Sequence, residues 1–102
     1  MSMATEKRTL LTVVTEAVLE HTLVAELDGL GARGCTVSDA RGRGSRGVRD
    51  AAWGEAANIR IEVICSRETA ERILAAWKER YYRDYAMVAF LSEVEILRPE
   101  KF

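Results

Sequence analysis

The chain has 102 residues, 48% of them hydrophobic and 30% charged, with a net charge of −1. That is the balance of one globular domain spanning 1–102, and it argues against a dedicated duplex-DNA binder, which needs a broad basic surface. No apolar run approaches the roughly 20 residues that cross a bilayer and no signal-peptide pattern opens the chain, so a cytoplasmic location is expected.

Residues 1–7 read as a frayed end. Thr9–Thr15 (Thr-Leu-Leu-Thr-Val-Val-Thr) is rich in β-branched residues and predicts a first strand. Thr15 is then placed to cap a helix, with Glu16 and Glu20 in its first turn, where the helix dipole favours acids. Leu19, Leu23, Leu27 and Leu30 draw one apolar stripe, and Gly31 and Gly34 supply the stop. Cys35–Arg41 predicts a second strand. Asn58–Cys65 alternates apolar and polar residues and predicts a half-buried third strand. Ser66 caps the next helix, whose inward stripe is Ala70, Ile73, Leu74, Trp77 and Tyr81. Met87–Leu97 completes the set as a last strand, ended by Pro99.

The order β-α-β-β-α-β predicts an α+β ferredoxin-like sandwich: one antiparallel sheet with two helices on one face. Ile64, Val88 and Phe90 leave the second face partly apolar, and a small domain covers such a face by oligomerising.

The connection between the second and third strands, Gly42 to Ala57, is far longer than the 2–5 residues of an ordinary hairpin loop. Its approach, Arg41-Gly42-Arg43-Gly44-Ser45-Arg46-Gly47-Val48-Arg49, holds four arginines and three glycines. Glycine lets the backbone come close to a ligand, and the guanidinium fork matches phosphate or carboxylate. The Gly42-x-Gly44-x-x-Gly47 spacing fits a dinucleotide fingerprint only literally, because it joins two strands rather than a strand and a crossover helix. What remains is an anion nest built from glycine-rich backbone amides, Arg43, Arg46 and the Ser45 hydroxyl.

Other chemistries fare less well. Cys35 and Cys65 form no CxxC pair and His21 is the only histidine, so structural zinc is not expected; buried free thiols are. His21 falls on the polar side of its helix. No Ser-His-Asp, Cys-His or paired-carboxylate arrangement can be assembled, so no catalytic residue is assigned. An RNA-recognition motif shares the topology but stacks bases on strand aromatics, whereas the third strand offers Ile59, Ile61 and Val63. Trp77 and Tyr81 lie on the inner stripe, while Trp53 sits in the long loop and needs a partner surface. An acylphosphatase has this size and topology, but its phosphate loop follows the first strand, where Thr15-Glu16-Ala17 has neither glycine nor arginine.

Gly34-Cys35-Thr36-Val37-Ser38-Asp39-Ala40-Arg41-Gly42-Arg43-Gly44 resembles the Gly-x-Thr-Val-x-x-x-x-Gly-x-Gly run that enters the T-loop of the PII signalling superfamily. Arg60-Ile61-Glu62-Val63-Ile64 is similar to the strand that leaves it. The resemblance extends over nearly the whole chain and makes 42–57 the T-loop. It implies a ferredoxin-like homotrimer, not an enzyme, that binds adenine nucleotides between subunits and signals through the T-loop. By this resemblance Thr36, Glu62 and Ile64 line the adenine end. Gly42, Arg43, Gly44, Ser45 and Arg46 hold ribose and phosphate, and Arg98 comes from the neighbouring subunit.

The family's glycine- and lysine-rich phosphate loop is replaced here by Tyr82-Arg83-Asp84-Tyr85, which removes a polyphosphate cradle. The T-loop is shortened and has no tyrosine for nucleotidylylation. The Arg-Gly-Arg-Gly run, Tyr-x-x-Tyr and the Leu-Arg-Pro-Glu-Lys-Phe end look more like the PII-like branch tied to inorganic carbon. That branch includes the carboxysome-associated PII protein and the regulator of a sodium–bicarbonate transporter. It implies AMP or ADP as ligand, with cyclic AMP and ATP as alternatives, bicarbonate as a second ligand, and a bicarbonate transporter or carboxysome component as target. The rival readings are a CutA-like trimeric metal-handling protein, using Cys35, Cys65 or His21, and a weak acylphosphatase-type phosphohydrolase.

Overall fold

In the computed structural model of the chain, which describes residues 4–42 and 57–102, four strands and two helices follow one another as expected. They are β1 (Glu6–Glu16), α1 (Glu20–Gly29), β2 (Thr36–Ala40), β3 (Asn58–Cys65), α2 (Arg67–Tyr81) and β4 (Met87–Ile96). The sheet is ordered β2-β3-β1-β4, and every described pairing is antiparallel. This is the ferredoxin-like arrangement.

Because side chains alternate along a strand, one face carries Leu11, Val13, Ile59, Ile61, Val63 and Cys65, all buried. Leu19, Leu23 and Leu27 from the first helical stripe, with Ala70, Ile73 and Trp77 from the second, close over them to form the core. Leu74 and Tyr81 are only half-buried at its margin. Among the described residues Trp77, at 1% exposure, is the largest buried side chain. Both helices therefore lie on one face, and among the described residues no helix covers the opposite, bare face.

Three expectations need correction. Glu6 and Lys7 are not frayed: they pair with Ile96 and Glu95, because β4 is long enough to hold them. Thr15 does not cap α1. It is held between Ile59 and Met87 inside the sheet, and the chain leaves through a 3-10 turn, Ala17–Leu19, before the helix starts without a side-chain cap. Cys65 is buried and free, but Cys35 is exposed, since it precedes an edge strand that has a neighbour on one side only.

The local signals at the helix ends hold. Gly31 takes φ of +101°, a left-handed turn that a side chain would strain, and Arg72 Nη1 reaches across to the Leu30 carbonyl at 3.0 Å. Ser66 Oγ accepts the Thr69 amide at 3.1 Å. Ser66→Ala is expected to cost about 1 kcal/mol of unfolding free energy, readable from the urea midpoint, with no change in the slope. No loss would mean that water caps α2 equally well.

Candidate functional site

The site residues are placed by register on the bare face. Thr36 is the first residue of β2 and is paired with Glu62 of β3, while Ile64 lies two residues further on, paired with Leu10. Thr36 is exposed; Glu62 and Ile64 are half-buried. The structure therefore brings these three expected adenine-end residues onto one patch. Across the same row lie Thr12, paired with Glu62, and Phe90, paired with Thr12. Thr12 Oγ1 is buried and finds no hydrogen-bond partner among the described residues.

Moving along β3 from that patch, the same face carries Arg60, exposed and opposite Ser38, and then Asn58, buried and opposite Ala40. At about 3.3 Å per residue, Glu62 to Asn58 spans about 13 Å. That length suits a purine at one end and a phosphate chain at the other. Gly42 stands at the far end, exposed, with nothing within 4 Å of where a Cβ would be. Neither packing nor a positive φ demands glycine there; what it leaves is open room beside the backbone. Arg43, Gly44, Ser45 and Arg46 lie outside the described residues, as does Trp53.

Arg98 is exposed and lies just beyond β4, where its carbonyl accepts the Lys101 amide at 3.1 Å. Among the described residues it makes no hydrogen bond or ion pair with Thr36, Glu62 or Ile64. The C-terminal turn it belongs to is drawn toward the α1–β2 connection by Arg33 Nη1, which donates to the Glu100 carbonyl at 2.7 Å.

Sequence reasoning passed over two further groups. Arg60 Nη2 stands 3.4 Å from Glu62 Oε2, so the acid in the expected adenine patch has a cation beside it. The i, i+2 spacing in a strand is the signal that places both on one face. The second group anchors the turn between α2 and β4. Thr15 Oγ1 donates to the Ala86 carbonyl at 2.7 Å, and the Ala86 amide donates to Glu16 Oε2 at 2.7 Å. That clamp joins residues some 70 apart, and no local pattern announces it.

Elsewhere, a shallow pocket of about 430 Å³ at the opposite end of the sheet includes Lys7, Arg8, Arg67 and Phe102. Its cations are engaged by Glu93, Glu6 and Glu71. Burial pushes the Cys65 thiol above its ordinary pKa, away from thiolate chemistry. Among the described residues, no three or more His, Cys, Asp or Glu side chains gather as metal ligands, and no helix is long and apolar enough to cross a membrane.

Comparison with known proteins bears on the family and the fold. The family model described as Nitrogen regulatory protein P-II matches residues 8–101. A PII-like signaling protein from Thermus thermophilus is 44% identical, with 98% of this chain and 99% of that one covered and a TM-score of 0.81. CPII from Thiomonas intermedia, in a structure bound to ADP and bicarbonate, has a TM-score of 0.83 at 22% identity, with 99% of each chain covered. GlnK of B. subtilis, as its ATP complex, superposes less closely, with a TM-score of 0.60 at 19% identity over 86% of this chain and 82% of that one. At those last two identities the likeness is one of fold.

Proposed function

We propose that this chain, which belongs to the nitrogen regulatory protein P-II family, is a regulatory rather than catalytic protein: a homotrimer that binds AMP or ADP between subunits and signals through its 42–57 T-loop. The observation that carries the reading is the open-face track from Thr36, Glu62 and Ile64, past Arg60, to Gly42 at the root of the arginine-glycine loop. The patch offers an apolar wall and polar edges for a purine. Beyond Gly42 the sequence supplies Arg43, Gly44, Ser45 and Arg46 for phosphate. Arg98 completes the site from a neighbouring copy. Cyclic AMP and ATP are the alternative ligands at the same place.

The CPII structure that carries ADP and bicarbonate supports a second ligand of the same kind here. Bicarbonate is a planar anion, and an arginine fork holds it with two parallel hydrogen bonds. A link to inorganic carbon follows, with a bicarbonate transporter or carboxysome component as the T-loop's target. Nucleotide contacts would favour one T-loop conformation, and the target would read that shift in population.

Titration calorimetry on Arg43→Ala/Arg46→Ala tests the reading. Two charge-assisted contacts are lost, so AMP and ADP affinity should fall at least about tenfold while adenosine binding and the thermal midpoint stay unchanged. Undiminished AMP and ADP affinity would remove the loop from the site.

A further inference from the structure

The turn between α2 and β4 stands at the same end of the sheet as the phosphate end of the proposed site. Glu16, Asn58 and Ala40 are consecutive partners across β1, β3 and β2, and Gly42 follows Ala40 by two residues. Met87, next to Ala86, pairs with Thr15, and the Ala17 amide donates to the Ala57 carbonyl at 2.9 Å. The turn and the loop root thus stand at one end of the sheet, with β3 and β1 between them.

A turn that cradles phosphate must point unspent amides at it. Here three successive amides are spent inside the chain. Asp84 and Tyr85 donate to the Tyr81 carbonyl at 3.2 and 3.0 Å, and Ala86 donates to Glu16 Oε2 at 2.7 Å. The last acceptor is itself an anion. It occupies, as part of the protein, the position an incoming phosphate oxygen would take against that amide, and Thr15 holds the other side of the same residue.

Building on the nucleotide site proposed above, we infer that Glu16 is a specificity-determining residue that restricts the site to nucleotides with few phosphates, AMP and ADP over ATP. Its carboxylate acts in two ways. It takes the amide that a longer phosphate chain would need. Its charge also opposes each added phosphate that approaches that amide.

Calorimetry with magnesium-free AMP, ADP and ATP on wild type, Glu16→Gln and Glu16→Ala tests this. Wild type should bind AMP more tightly than ATP. Glutamine keeps an acceptor for the Ala86 amide and removes the charge, so the ATP-to-AMP affinity ratio should rise about tenfold for the two extra phosphate charges. Alanine also frees the amide and should raise the ratio at least as far. An unchanged ratio in both variants, or wild type preferring ATP, overturns the inference while leaving the nucleotide site standing. Wild type binding none of the three would overturn the site itself, and the inference with it.

Discussion

Glu26→Ala is expected to lower the unfolding free energy by about 3 kcal/mol, because it strips the acceptor from three donors at once. Trp77 Nε1 donates to Glu26 Oε1 at 3.0 Å, Arg80 Nη1 donates to the same oxygen at 2.8 Å, and the Tyr81 hydroxyl donates to Oε2. One carboxylate on α1 thereby ties down the C-terminal half of α2. The loss falls mainly on Trp77, whose ring is buried and whose N–H has little access to water once Glu26 is gone. The Arg80 pair adds less, since that side chain is half exposed. Glu26→Gln, which keeps a carbonyl acceptor, should cost distinctly less than alanine. Equal midpoints for wild type and Glu26→Ala in urea would show that the clamp contributes nothing.

The same cluster has a pH signature. Burial, followed by the hydrogen bond to Glu26 and its charge, pushes the Tyr81 hydroxyl up to about 12, against an unfolded value near 10. The folded state thus holds this proton more tightly than the unfolded state. The stability it contributes is complete below pH 10 and is lost as pH rises toward 12. Tyr81→Phe should be less stable than wild type at neutral pH, and the difference should shrink across that window. A constant difference would mean that Tyr81 does not titrate with folding.

In the homotrimer proposed above, Phe90→Asp is expected to release monomers and abolish nucleotide binding while leaving the domain folded. Phe90 is 48% exposed and its neighbour on the face, Val88, is 56% exposed; both lie on the side of the sheet away from α1 and α2. Leu10, Val14, Ile64 and Val94 extend the same face and are only half-buried. The core lies on the other side, so an aspartate here leaves it intact. In an interface between copies the aspartate would be a buried, unpaired charge, which costs several kcal/mol in each copy. Light scattering reads the mass, circular dichroism the fold and calorimetry the nucleotide. A trimer of unchanged stability would assign the bare face some other role.

Much of this was legible in the chain because the signals are local. Alternation over Asn58–Cys65 marked a half-buried strand with its bounds, and the four-residue spacing of Leu19, Leu23 and Leu27 marked the buried stripe of α1. Ser66 announced its helix through a cap that needs only three residues of chain. The placements that failed share one cause. Thr15 has the chemistry of a cap, but the ladders of β3 and β4 on either side of it extend the strand past that point. Glu6 and Lys7 look like an end because nothing nearby in sequence holds them, whereas their partners stand some 90 residues away. The proposed adenine patch rests on family likeness rather than on any local pattern; strand register places Thr36 beside Glu62. The clamps made by Glu16 and Glu26 were unreadable, since a lone acid in a sequence says nothing about which distant amide or indole it will meet. Periodicity, which depends on bonds between near neighbours, belongs to the sequence. The identity of a polar contact belongs to the packed fold, where burial decides which donors must find an acceptor.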